Sequence, residues 1–252
     1  MKTFSILENK ILRKMVPAVF WLLVWQIASA AIGEEILLSS PLRVFSKLVE
    51  LMQTQDYWLA IATSLYKIFI GLMLSVIVGI TLSVVSFYSP FFKALVHPVV
   101  IFFKSIPVAA FVIFLLMWID SSYLSVIISF LMGMPIIYEN VYEGFISTDK
   151  KLVEMAESFQ VPALKRMKYM YVVKVLPYLR AGIISVSGLT FKAAIAAEVI
   201  GLQRNSIGEH LHHAKIYLNM AELSAWIVTI IGLSMMFEKA IQFFMGDRHA
   251  GV

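Results

Sequence analysis

The strongest constraint on this chain is a series of apolar runs, each about as long as a bilayer is thick. The first covers residues 15–33, the second Tyr57 to Tyr88, and the third Pro98 to Ile119. A fourth runs from Ser121 to Tyr142, a fifth from Val175 to Leu202, and a sixth from Ala221 to Met245. A helix needs about 20 apolar residues to cross the hydrocarbon core. In lipid, only helices and closed barrels keep every peptide group hydrogen-bonded. The expected fold is an all-α polytopic membrane protein with about six transmembrane helices. Charged residues make up 15% of the 252 positions, against about a quarter in soluble domains, which leaves no room for a soluble catalytic domain.

The segments between the runs set the expected organisation. Residues 1–14 are polar and basic, and Ala28-Ser29-Ala30 resembles a signal-peptide cleavage site. The apolar run continues past it to Ile32, so a retained first span is expected. Ser40-Pro41 is a helix start, with serine as the cap and proline in the first turn. Leu42, Phe45, Leu48, Val49 and Met52 then share one face of an amphipathic helix expected to lie at the membrane interface. The expected division is residues 1–56 as a first span plus interfacial helix, 57–246 as the core, and 247–252 as a tail. Gly71 and Gly79 in the second span allow close helix approach. The third span is expected to be interrupted at Lys104-Ser105-Ile106-Pro107, and Pro107 and Pro135 are both expected to break helices. His212 and His213 fall in a polar connection, Gln203 to Met220, read as a loop.

The longest polar interruption in the second half is Asp149 to Arg180. Asp149 can cap a helix on which Leu152, Val153, Ala156 and Phe159 recur at helical spacing. Pro162 is expected to end that helix and to open a second one as its first residue. A helix–turn–helix of this size between two spans reads as a docking element for a partner. A hairpin resting on lipid headgroups is the plainer reading. Lys150, Lys151, Lys165, Arg166, Lys168 and Lys174 crowd into the stretch. With Lys2, Lys10, Arg13, Lys14, Lys93, Lys239 and Arg248 they outnumber Arg43, Lys47, Arg204 and Lys215 on the opposite side. Lysine and arginine accumulate in cytoplasmic loops, so the stretch and both termini are expected in the cytoplasm. The same rule accounts for the net charge of +5, and nucleic acid is not expected as a partner.

Glu154-Met155-Ala156, a turn some six residues on, and then Leu176-Pro177 resemble the EAA loop of ABC importer permeases. Ser64-Leu65-Tyr66-Lys67 with Gly71, Lys104-Ser105-Ile106-Pro107, and Ala196-Ala197-Glu198 followed by Ile207-Gly208 are similar to the nitrate/sulfonate/taurine-type branch. The resemblance extends from about Ser40 to Phe244. The chain departs from it in having Gln160 where the family has a turn glycine and Val173 where it has a first proline; Pro162 is expected to supply the turn instead.

The resemblance implies a type I ABC importer permease whose 149–174 loop is a coupling helix seated in a groove of a cytoplasmic ATPase. Glu154, Ala156, Phe159, Gln160, Val161, Pro162 and Leu164 would carry that contact. It implies two ATPase subunits, a second permease copy (a homodimer), and an extracytoplasmic binding protein that delivers a small organic solute, anionic or heterocyclic. The mechanism would be alternating access, with ATP and magnesium on the partner subunits and no cofactor in this chain, which has no GxxxxGK[ST] phosphate loop. Its place would be the cytoplasmic (inner) membrane.

Ionisable residues inside spans usually face a bundle interior or a wet cavity. Lys104, Lys192 and Glu198 are therefore candidates for lining a translocation pathway, together with Ser105, Pro107, Met117 and Thr190. The alternative for the charged three is structural pairing between helices. Lys192 and Glu198, six apart, do not share a helix face, so each is expected to pair elsewhere. A catalytic role is not expected: cysteine is absent, the histidines lack metal-site spacing, and a membrane enzyme would need acidic or histidine clusters on facing spans. A secondary transporter would show inverted repeats, and none is evident.

Overall fold

The computed structural model describes residues 10–246, with side chains from residue 15. Lys2 and the tail 247–252, with Arg248, lie outside the described residues. The described chain is helical: α1 Lys10–Ile32, α2 Pro41–Met52, α3 Gln55–Tyr88, α4 Pro90–Ser105, α5 Val108–Leu116, α6 Leu124–Ile146, α7 Lys150–Ser158, α8 Ala163–Arg166, α9 Val172–Gly201, α10 Ile207–Ile216 and α11 Met220–Met245. A 3₁₀ turn, Ser121–Tyr123, leads into α6, and a π-helical segment, Met167–Tyr171, joins α8 to α9.

Five stretches are long and apolar enough to cross a membrane alone: Met15–Ile32, Gln55–Tyr88, Ser121–Ile146, Ala163–Gly201 and Met220–Met245. The third span does not run straight from Pro98. Its helix starts at Pro90, where the Ser89 side chain caps by accepting from the Phe92 amide at 3.2 Å. It ends at Ser105, and α5 leaves at an angle of 102°. Ile106 is extended, as the residue before a proline tends to be, and Pro107 starts α5 from an extended conformation. Pro98, Pro135 and Pro177 all lie inside continuous helices, so the expected break at Pro135 does not occur. Neighbouring helices in a membrane protein can absorb the lost amide donor. The segment holding His212 and His213, expected as a loop, is helix α10.

The chain forms two compact units. In the first, residues up to Trp58 with His210–Ile230, the Trp25 indole donates to the Ser39 carbonyl at 3.1 Å and the Ser29 hydroxyl to the Leu38 carbonyl at 2.8 Å, tying α1 to the start of α2. Ser40 caps α2 with Pro41 in its first turn, as the sequence predicts. Tyr57 packs at a tilt against Trp226, 5.0 Å between ring centres, and its hydroxyl lies 3.0 Å from that of Thr229.

The second unit, Leu59–Glu209 with the chain from Ile231, is built on α6 and α9. Leu72, Ile137, Val141, Phe145, Val175, Ile183 and Val186 form one buried cluster. Val112, Leu115, Leu124, Ile128, Ala193 and Ala197 form another. In a bilayer, close van der Waals contact and interhelical hydrogen bonds drive such packing, more than expulsion of water. Small residues make the approach possible. A Cβ on Gly71 would lie 2.4 Å from Ser129 Cβ, and one on Gly144 would lie 2.9 Å from Val175 Cα. The Ser83 hydroxyl bonds the Tyr138 carbonyl at 2.7 Å across α3 and α6. Just beyond α5, Asp120 caps the 3₁₀ turn; hydrogen bonds from the Ser122 hydroxyl and amide hold its carboxyl below the usual carboxylate range.

Candidate functional site

The segment between α6 and α9 is a folded hairpin. The Asp149 carboxylate caps α7 by accepting from the Lys151 amide at 2.9 Å. The helix stops at Ser158 because Gln160 takes a left-handed backbone, φ 52°. The Val161 amide then bonds the Ala156 carbonyl at 2.9 Å and the Gln160 amide bonds the Glu157 carbonyl at 2.8 Å. That pair of bonds is the Schellman arrangement, which usually has glycine at this position. The turn is therefore made by Gln160 itself, and not by Pro162 as the sequence pattern suggests. Pro162 stands one residue before the next helix, extended at φ −53°, ψ 142°, and α8 begins at Ala163. That second helix is not separate either; through the π segment it runs on into α9, a continuous stretch from Ala163 to Gly201.

A left-handed residue with a side chain costs roughly 1–2 kcal/mol relative to glycine. Gln160→Gly should therefore be tolerated, whereas Gln160→Val, branched at Cβ, should loosen the turn. Amide hydrogen exchange across residues 150–161 is expected to speed up about fivefold or more in the valine variant. Equal exchange in all three proteins would mean that the turn is not held in this conformation.

Within the hairpin, Ala156 is buried, and the Arg166 guanidinium pairs with the Glu157 carboxylate across the turn. Phe159 and Leu164 remain 77% and 85% exposed, Val161 is half-buried, and Glu154 is exposed without an ion-pair partner among the described residues. Rings from three helices meet at the base. Phe87 of α3 stacks on Phe145 of α6 at 4.9 Å, and Tyr171 of the π segment meets Phe87 edge-on at 5.1 Å. A cavity of about 530 Å³ lies beside them, lined in part by Thr148, Lys150, Val153 and Glu154.

The ionisable span residues separate into different environments. Lys104, in the last turn of α4, pairs with Glu139 of α6 at 2.6 Å, and both are partly exposed. Ser105 donates to the Ile101 carbonyl at 2.9 Å, and Pro107 forms the corner described above. Met117, closing α5, is exposed, and so is Lys192, with no ion-pair partner among the described residues. Thr190 is buried and bonds the Val186 and Ser187 carbonyls of its own helix, at 3.0 and 3.1 Å.

Glu198 is fully buried. Its Oε2 accepts from the Ser64 hydroxyl at 2.8 Å and from the Gly208 amide at 3.3 Å. The Ser64 oxygen in turn accepts from the Ile207 amide at 3.1 Å. One carboxylate thus ties α3 to α9 and to the first amides of α10, which carry no intrahelical partner of their own. Nearby, buried Gln203 lies 2.7 Å from the Ser125 hydroxyl. With its amide turned so that both ends are satisfied, its oxygen accepts from Lys67 Nζ at 2.9 Å. Lys192 and Glu198 do not meet. Sequence reasoning gives no role to Glu139 or Gln203 and meets Ser64 only within a family motif; the faint signals are a carboxylate on α6 and small hydroxyls on α3 and α6.

Residues 71–241 match the family described as binding-protein-dependent transport system inner membrane component. The chain belongs to this family. The match takes in the hairpin, the corner at Pro107, and Glu198 with Gly208, while Ser64 and Lys67 precede it. The chain is also 28% identical over 201 residues to the formylaminopyrimidine transport permease protein ThiX of Halalkalibacterium halodurans, covering 77% of this chain and 75% of that protein. It is 23% identical over 209 residues to a probable ABC transporter permease protein of Brucella melitensis, covering 82% and 84%. It is 20% identical over 224 residues to the taurine transport system permease protein TauC of Escherichia coli, covering 86% and 81%. The protein is a multi-pass membrane permease subunit of an ABC importer, with the all-α, type I permease fold that the sequence motifs predict.

Proposed function

We propose that the 149–174 hairpin is the coupling element through which a cytoplasmic ATPase drives this permease. Two ATPase subunits hold the ATP and magnesium, and this chain contributes no cofactor and no catalysis. A second copy of the chain completes the pathway, and an extracytoplasmic binding protein delivers a small organic solute. Both termini lie in the cytoplasm. Glu154, Ala156, Phe159, Gln160, Val161, Pro162 and Leu164 make or shape the ATPase contact. Lys104, Ser105, Pro107, Met117, Thr190, Lys192 and Glu198 serve the pathway, with Thr190 and Glu198 acting from within the packing. The related permeases are named for a pyrimidine and for taurine, so the solute is of that size.

The supporting observation is the pair of large apolar side chains, Phe159 and Leu164, held out in the open on a hairpin that is otherwise capped and pinned. Large apolar side chains exposed on either side of a helical turn are what a partner's groove takes up. The test uses the absence of native cysteine. A cysteine at Lys151 should resist a membrane-impermeant maleimide in intact cells and react once the membrane is permeabilised. One at Arg204, beyond the other end of α9, should react in intact cells. Labelling of the Lys151 site from outside would remove the hairpin from any cytoplasmic ATPase.

A further inference from the structure

Three neighbouring residues of α6 reach three different helices. The Tyr138 hydroxyl donates to that of Ser86 at 3.1 Å, and the Tyr138 carbonyl accepts from the Ser83 hydroxyl at 2.7 Å, which ties this turn to α3. Asn140 packs on Gly182 of α9, where a Cβ on the glycine would lie 3.1 Å from that of Asn140. Glu139, between them, pairs with Lys104 of α4 at 2.6 Å. The turn that carries Glu139 is thereby fixed by its neighbours on α3 and α9, and α6 then runs directly on to the hairpin.

The α4 helix is held differently. Among its described residues, only Val100 is buried. Beyond the corner, α5 sends Val112 and Leu115 into the cluster formed with Leu124 and Ile128 of α6 and Ala193 and Ala197 of α9. Two cations join α4 to α6 instead: Lys104, on Glu139, and Lys93, 4.5 Å from the centre of the Tyr142 ring. At the corner the chain turns by 102°, and Pro107 has no amide to bond back into α4. A helix covered at one side chain and ending at such a corner is free to hinge there. Lys104 and Glu139 both lie within membrane-crossing stretches, yet their side chains are 44% and 45% exposed. Charges at such depth face a bundle interior or a wet space. A pair this exposed adds little to stability, so it is suited to opening and re-forming and poorly suited to bracing the fold.

We propose that Glu139 is a positioning residue for transport: through Lys104 it holds α4 against α6, so that a turn of α6 imposed at the hairpin carries α4 with it about the Pro107 corner. The proposal rests on the coupling role of the hairpin given above, and it adds the link by which that motion reaches a helix that packing barely holds. Val100 reports on the link, because it is covered only while α4 lies in place.

The chain has no native cysteine, so Val100→Cys supplies a single reactive thiol. The full chain is assembled with its ATPase subunits in lipid nanodiscs, and alkylation by N-ethylmaleimide is timed without nucleotide and after trapping with ATP and vanadate. The two rates should differ by at least about fivefold. Glu139→Gln should abolish that difference while thermal unfolding and ATPase association stay unchanged, and the exchange of Lys104→Glu with Glu139→Lys should restore it. A residue that only stabilised the fold would shift both rates together and leave their ratio. Should Glu139→Gln fail to fold, Lys104→Gln breaks the same pair and is read in its place. Equal rates in the two states, a full difference in the folded Glu139→Gln or Lys104→Gln chain, or no recovery in a folded exchange variant overturns the proposal. Copurification with the ATPase is scored separately. Assembly without a nucleotide-dependent rate removes this link and leaves the permease reading standing, whereas failure to assemble removes that reading.

Discussion

Gly208→Ala, a change of one methyl group, will destabilise this protein by about 3 kcal/mol. A Cβ at that position would lie 2.4 Å from the backbone carbon and the Cβ of Glu198, and 2.5 Å from the amide nitrogen of Val199. These are backbone and near-backbone atoms, which cannot swing aside as a side-chain tip can. The start of α10 must move off α9, and the Gly208 amide and the Ser64 hydroxyl then lose their grip on the buried Glu198 carboxylate. Overpacking a tight site typically costs about 1–3 kcal/mol, and the upper end applies where nothing can relax. A carboxylate left buried without its donors adds to the cost. Gly232 supplies the contrast, since a Cβ there meets nothing within 4 Å. In the middle of α11, Gly232→Ala should be neutral or stabilise by up to about 1 kcal/mol. Thermal unfolding in detergent compares the two. If Gly208→Ala melts with the unmodified protein, the junction between α9 and α10 is not as close as described.

The second large effect falls on assembly and leaves folding intact. Phe159 and Leu164 are mostly exposed, so Phe159→Asp and Leu164→Asp should each change stability by no more than about 0.5 kcal/mol. If the two side chains anchor the hairpin in an ATPase groove, each charge introduced there costs about 2 kcal/mol or more of binding, a factor of roughly 30. The double variant should then lose ATPase association by about a hundredfold or more, together with stimulated ATP hydrolysis. Glu154→Lys should weaken association less, because its carboxylate sits at an exposed edge of the hairpin where charge pairs contribute little. Unchanged association of a well-folded double variant would show that the exposed apolar pair faces something other than the ATPase.

The spans are the most legible part of this chain, because length and hydropathy are local properties. Caps are legible for the same reason: Ser40 and Asp149 act within three residues of themselves. The family motifs and the hairpin can likewise be read in order along the sequence. The backbone sign at Gln160 cannot, since a side-chain-bearing residue at positive φ is uncommon and nothing in the local pattern demands it. Four prolines look alike, yet only Pro107 marks a corner; Pro98, Pro135 and Pro177 sit in helices whose continuity depends on neighbours distant in sequence. The partners of Glu198 and Lys104 are 134 and 35 residues away, so the ionisable span residues can be recognised as significant while their placement cannot.

The ring cluster at the root of the hairpin fixes how force would travel. Phe87, Phe145 and Tyr171 belong to three different helices and are in mutual contact. Two of them, Phe145 and Tyr171, sit where the hairpin leaves one span and re-enters the other. A short arm clamped at both feet cannot flap. A load applied at its tip becomes a torque on α6 and α9 together, the two helices that build the core of their unit.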